Sequence, residues 1–489
     1  MKPVKVLYFV IAVMIFLSII MFAFPKNGIK INKDFTLQFP TFKEMFMPSK
    51  IEYADISKII ENQINIDSIS KIIGINDSIT NNTIKADAQA LIKSINRLEF
   101  PDGDKSNFYS FCKKLLKLKN SGKLIRIMHY GDSQIEGDRI TSFLRYKLQN
   151  KFGGSGVGLM PAIQPYDFSF SINQTNSENW DRYTIYGRID TNVKHKRYGA
   201  LAAFSRFAPI QNDSVFNDEI IYESWINFQK SRISYSNTKK FKQCRIFYGH
   251  NKKPVLAEIY KGEKLLKSQN LIANENFNVF SYTFPEYSEE VSIKFKGKDS
   301  PDIYGVALDD TKGIAVDNIA LRGCAGTIFN KMDRPLLKQM YDNLNVDLLI
   351  LQFGGNVMPY IDDEKESESY GRWFYSQLAT LKRLRPGVSI IVIGPSDMSI
   401  KVKDKFVTYE LLESVRDALK NATFKAGCAY WDMYEAMGGK NSMPSWVNAE
   451  PALAAKDYTH FSTQGSKVVA NMFYNAFILE YQEYLNKKK

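Results

Sequence analysis

Residue types suited to acyl-transfer chemistry occur in four separate stretches of this chain. "HYGDSQIEGD", His129 to Asp138, ends an apolar run at Gly131 and presents Ser133 among glycines and acids. "KDYTHFSTQG" carries Asp457 and His460 three residues apart, a spacing that lets a carboxylate hold one imidazole nitrogen while the other faces a nucleophile. "LQFGGN" ends an apolar run with two glycines and Asn356, whose side-chain amide can donate to a developing oxyanion, and "LRGCAG" offers Gly323 as a bare backbone N–H. A nucleophile, a base, its orienting acid and oxyanion donors make an acyl-enzyme cycle that needs no metal or cofactor. Each stretch also has a structural reading. Ser133 and Asp132 suit a helix N-cap, Asn356 suits a turn, and Asp457 and Thr459 suit the start of a helix with His460 a bystander.

The remaining candidates read as structural. Asp138 and Arg139 form an ion pair at a helix start, Cys324 is a small buried residue between glycines, and Trp431 and Trp446 suit a core or a sugar platform equally. Of the other histidines, His129 lies in the strand feeding the serine, and His195 and His250 fall among lysines where surface roles are expected.

The elements that must position these residues alternate. "NFYSFCKKLLKLKN" has helical spacing and leads into the apolar strand "KLIRIMHYGDS", followed by the helical "DRITSFLRYKLQNKFGG" with its Gly-pair stop. After "KGIAVDNIALRGCAG", the strands "VDLLILQFGGN", "SIIVIGPSD" and "CAYWDMYE" alternate with helical segments and end in the long helix "TQGSKVVANMFYNAFILEYQEYL". Continuously apolar strands are those buried by helices on both faces, and ligands of such sheets bind at the strands' carboxyl ends. Between Tyr166 and Lys312, short β-branched and aromatic runs separated by turn residues predict an all-β sandwich inserted into one α/β domain.

Val6 to Phe24 is apolar and uncharged, about the length of a bilayer-spanning helix and longer than a signal-peptide core, with no small-residue cleavage site after it. An uncleaved anchor over 1–26 is expected, with the rest extracytoplasmic, although Lys26, Lys30 and Lys33 weaken the orientation signal. A spacer over 27–99 carries short helices at "DISKIIENQI" and "KADAQALIKSINRL". The 65 Lys and Arg residues against 52 Asp and Glu give +13, suited to anionic polymers or membrane surfaces, while nucleic acid lacks any accompanying signature. The four cysteines have neither zinc-site spacing nor a disulfide framework.

In order, "GDSQ", "RGCAG", "FGGN" and "DYTH" resemble the four blocks of the SGNH, or GDSL-type, hydrolases, with Gln134 where the name motif has leucine, a position at which no chemistry is expected. The resemblance implies a three-layer α/β/α, flavodoxin-like domain with a parallel sheet, built from 100–165 and 313–489 and interrupted by a jelly roll over 166–312. It implies Ser133 as nucleophile, His460 as base and then acid, Asp457 as its orienter, and an oxyanion hole of the Ser133 and Gly323 N–H groups and the Asn356 amide. The insert, "GPSDM" and "WDMYEAMGGKNSMPSW" resemble the peptidoglycan O-acetylesterase branch, whose jelly roll is similar to carbohydrate-binding modules. That implies an O-acetylated glycan, peptidoglycan foremost, as substrate. An O-acetyltransferase with a membrane-bound acyl-transfer partner, a lipid esterase and an inactive glycan-binding anchor stay open beside it.

Overall fold

The computed structural model describes residues 3–25, 28–32, 35–41, 51–61, 67, 91–166, 168–210 and 219–488, in two units, Met1–Tyr53 and Ala54–Lys489. The first holds helix α1 (Pro3–Ala23), whose 21 residues carry one charge, Lys5. At 1.5 Å rise per residue that length covers about 30 Å, the hydrocarbon thickness of a bilayer. Of the spacer, a single-turn helix at Ser57–Glu61 falls within "DISKIIENQI". "KADAQALIKSINRL" lies outside the described residues up to position 90.

The second unit is organised around a five-stranded parallel sheet of β1 (Leu124–Gly131), β2 (Gly313–Ala320), β3 (Val346–Gln352), β4 (Ser389–Ile393) and β5 (Ala429–Trp431), in the order β2-β1-β3-β4-β5. All four pairings are parallel. Side chains alternate across β1. Ile125 and Ile127 face a core shared with α2 (Ser106–Ser121), α3 (Thr141–Phe152) and α7 (Thr463–Asn486), while Met128 and Tyr130 join the core beneath α4 (Arg334–Leu344), α5 (Glu364–Leu384) and α6 (Leu412–Lys425). Helices cover both faces of the sheet, so β1 and β3 are buried along their whole length, including Arg126 and His129 of β1 and Asp347 and Gln352 of β3.

Local chemistry sets the helix ends. Asp363 accepts the Glu366 N–H at 2.8 Å to cap α5, whose first turn is acidic and last turn basic, matching the helix dipole. Ser462 caps α7 through the Gly465 N–H at 3.1 Å, and Gly465 is required there because any Cβ would lie 1.8 Å from the Leu453 carbonyl oxygen.

Between α3 and β2 the described residues from Gly158 to Asp309 form two antiparallel sheets. One runs in the order Lys264–Leu271, Val255–Lys261, Glu290–Gly297, Tyr222–Lys230, Ile172–Asn176. The other runs Asn278–Ser288, Phe241–Gly249, Asp302–Asp309, Ala203–Arg206, Asp181–Thr184, with Gly158–Met160 also pairing to Asp302–Asp309. Ile226, Phe228 and Ile259 from the first meet Ile246, Phe280 and Val306 from the second in one apolar core. Buried Arg126 of β1 fixes this block to the α/β layer by pairing with both Asp317 of β2 and Asp309 of the block, and Asp309 also takes Arg245 at 3.0 Å.

Candidate active site

The sheet order places β1 between its sequence neighbours β2 and β3, and ligands of such sheets bind where the order reverses, at the strands' carboxyl ends. Ser133 follows β1, Gly323 follows β2, and Asn356 follows β3. His460 comes from the loop before α7.

Ser133 Oγ lies 2.8 Å from His460 Nε2, and His460 Nδ1 lies 2.8 Å from Asp457 Oδ2. The loop carrying the histidine is built by its own residues. Asp457 Oδ1 accepts the Thr459 and His460 N–H groups, both at 3.0 Å, so one carboxylate folds the turn with one oxygen and holds the ring with the other. Tyr458 sits at φ +55° and stacks its ring on Phe406, 3.6 Å between centroids, on the exposed hairpin Ser399–Val402/Lys405–Thr408. The His460 carbonyl accepts the Ala455 N–H at 2.8 Å. Burial works against the charge of Asp457, but the hydrogen bonds from the backbone and ring of His460 and from Thr459 outweigh it and hold the carboxyl below its usual range. It is therefore ionised near neutrality, as an imidazolium partner must be.

Asp132, buried just before the serine, accepts the Gln134 N–H at 2.9 Å and the Asn356 Nδ2 amide at 3.0 Å. Burial pushes its carboxyl up to about 6, against the lowering effect of those two bonds and of His460. The second Asn356 N–H has only a long contact, 3.3 Å to the Cys324 carbonyl. A forming oxyanion, being charged, would compete with that carbonyl for the donor. Ser133, Asn356 and His460 line a common cavity of about 80 Å³, with Gln134, Pro395, Met398 and Met433 among its walls. Gly323 is not among the cavity's lining residues. It adopts φ +74° one residue before Cys324, with open space where a Cβ would be. The Ser133 and Gly323 N–H groups have no acceptor among the described residues.

Two of the remaining expectations are corrected, the Asp138–Arg139 pair and the surface histidines, while Cys324 and His129 lie buried as expected. Arg139 does not pair with Asp138. It donates to the Ser133 and Glu136 carbonyls, each at 2.8 Å, whereas Asp138 pairs with buried Arg145 at 2.6 Å. Trp431 and Trp446 are fully buried core residues, not sugar platforms. Cys324 is buried and its thiol is pushed up to about 11 by burial, so it is no nucleophile. Buried His129 lies between Gln352 at 3.1 Å and Thr141 at 2.9 Å, and burial drives its imidazole down to about 3. His195 and His250 are not free surface groups, since they pack 4.6 Å apart and pair with Asp302 and Glu275. Asp132 caps the turn as its type suggests, whereas its bond to Asn356 and the Gln134 contacts with the histidine loop carry no signal in the sequence beyond membership of the "GDSQ" block.

No protein-family profile matches the chain, and no curated protein sequence matches it. Among solved structures it is similar to a peptidoglycan O-acetylesterase, at 19% identity and TM-score 0.61 over 79% of this chain and 99% of that one. It also matches a protein named a GDSL-like lipase from Parabacteroides merdae, at 16% identity over 34% of this chain and 74% of that one, with TM-score 0.25. A family two carbohydrate esterase from Clostridium thermocellum, solved with cellohexaose, aligns at 9% identity over 54% and 93% of the two chains, with TM-score 0.22. The last two superpose too loosely to bear on the architecture. The first fixes it: this chain has the fold of a peptidoglycan O-acetylesterase, in keeping with the resemblance of its four blocks to SGNH-type hydrolases.

Proposed function

We propose that the protein is an SGNH-type serine esterase that removes O-acetyl groups from a cell-wall or exported glycan, with peptidoglycan as the foremost substrate. The observation that carries this reading is the unbroken relay from Ser133 Oγ through the His460 ring to Asp457, 2.8 Å at each step. Ser133 attacks the acetyl carbonyl as His460 Nε2 takes its proton, and the oxyanion is held by the Ser133 and Gly323 N–H groups and the Asn356 amide. His460 then returns the proton to the departing sugar hydroxyl, and water, activated by the same ring, releases acetate.

The cavity of about 80 Å³ beside Ser133 has room for an acetyl group. The antiparallel block between β1 and β2 is, in this reading, a jelly-roll module that helps hold glycan. Helix α1 is the membrane anchor, with the catalytic part extracytoplasmic.

The test is acetate release from a chromogenic acetyl ester and from O-acetylated peptidoglycan by the full-length protein in detergent, with Ser133→Ala as control. Wild-type turnover abolished in the variant supports the reading. Equal, slow release by both would leave a glycan-binding anchor. Acetyl capture by an added sugar in preference to water would instead mark a transferase.

A further inference from the structure

Gln134 stands where the GDSL motif has leucine, yet its side chain is neither solvent-exposed nor idle. It is 7% exposed and spans the gap from the nucleophile turn to the histidine loop. Its Nε2 donates to the Thr459 carbonyl at 2.7 Å and approaches Ser396 Oγ at 3.4 Å. Its Oε1 accepts the Phe461 N–H at 3.4 Å. The two backbone partners fix the orientation of the amide, because a flip would set oxygen against carbonyl and N–H against N–H. They also flank His460 on either side.

We infer that Gln134 is a positioning residue that clamps the peptides before and after His460 and so sets the imidazole against the serine one residue upstream of it. The inference rests on the esterase reading for the reaction it serves, but its geometry does not. Asp457 restrains His460 from within the same loop, so it travels with the loop if the loop shifts. Among the described residues, the other side-chain ties from the nucleophile turn to this loop are the Ser133–His460 bond itself and the Arg139 contact with the Phe461 carbonyl, which at 3.5 Å is at the limit of a hydrogen bond. Leucine can fill the volume of Gln134 but can tie neither peptide, and methionine matches its length with no donor.

The experiment compares full-length wild type with Gln134→Leu and Gln134→Met in two ways. One is turnover of a chromogenic acetyl ester, expressed per folded site. The other is the rate at which a fluorophosphonate probe modifies Ser133, which reads activation of the serine by His460 whatever the natural substrate. Misplacement of a catalytic group by about 1 Å can cost about 100-fold, so both variants are expected to lose about 10- to 100-fold in kcat and in labelling rate, with KM within about twofold. A role confined to stability would lower the melting temperature and the folded fraction in step with labelling while leaving the rate per folded site unchanged, and that result overturns the inference. So does a methionine variant that labels like wild type, or a wild-type Ser133 that is not labelled at all. If wild type is labelled and the variants slow, but no acetyl ester is turned over, the positioning role stands and the esterase reading falls.

Discussion

Replacing Asp457 by asparagine tests the relay at the link where structure and chemistry can be separated. The asparagine oxygen can still accept the Thr459 and His460 N–H groups that fold the turn at 3.0 Å. The nitrogen, however, replaces the oxygen that faces His460 Nδ1 at 2.8 Å, and it can only donate. The ring must then present an acceptor at Nδ1 and carry its proton on Nε2, toward Ser133, which is the tautomer that cannot take the serine proton. The change also removes a negative charge beside the imidazolium formed in the transition state. Unit charges about 4 Å apart attract by about 1 kcal/mol in water and about 4 kcal/mol at the effective dielectric of a protein surface. The Asp457 side chain is 50% exposed and that of His460 32%, so solvent screening places the loss between these limits. At about 2 to 3 kcal/mol the lost charge alone lowers kcat by about 30- to 150-fold, and the wrong tautomer adds to that loss. The assay is kcat on an acetyl ester per fluorophosphonate-titrated site, with circular dichroism to verify the fold. A folded Asp457→Asn protein within about threefold of wild type would refute the assignment of Asp457 as orienter.

Truncating Asn356 to alanine removes the proposed oxyanion donor, and kcat is expected to fall about 100- to 1000-fold with little change in KM. An unchanged kcat would exclude the side chain from the hole. Asp132 makes stability depend on pH with a definite sign. Its folded-state carboxyl titrates at about 6 against an ordinary 3.8, so its protonated form favours the fold. That contribution is complete below about pH 3.8, is lost as pH rises through about 6 and is flat above. The urea midpoint of wild type relative to Asp132→Asn should therefore decline between about pH 4 and about pH 6, and a rising difference would reverse the argument. Arg126→Met leaves buried Asp317 without a cationic partner and Asp309 with Arg245 alone, and should cost about 3 to 5 kcal/mol in urea unfolding. A loss below about 1 kcal/mol would show that the antiparallel block is not fixed to β1 by this network.

Sequence reasoning reached furthest where the determinants are local. The strands β3 and β4 were legible because burial on both faces demands apolar runs such as Leu348–Leu351 and Ile390–Ile393, and "DYTH" was legible because Asp457 builds the turn and orients the ring within four residues. In the antiparallel block the alternating runs announced strands, but their order depends on pairings far apart in the chain, such as Tyr222–Lys230 beside Glu290–Gly297. Gly158–Met160, with three residues, is too short to declare itself as a strand. Composition could not separate Trp431 and Trp446 as core from the same rings as a sugar platform, since an indole serves either and only the packing around it decides.

The misreadings at Gln134 and Arg139 share one physical cause. Sequence patterns pair side chains with side chains, which matches Arg139 to its acidic neighbour and gives a carboxamide at Gln134 no chemistry to do. Both instead bind backbone groups, and in the case of Gln134 the partners, the Thr459 carbonyl and the Phe461 N–H, lie more than 300 residues away. Backbone groups are the same at every position, so nothing in the sequence marks which peptide a side chain will find. A polar residue in place of an apolar motif residue is nonetheless a usable signal, because burying an amide without partners is costly. A buried glutamine beside a nucleophile therefore implies that something across the cleft is being held.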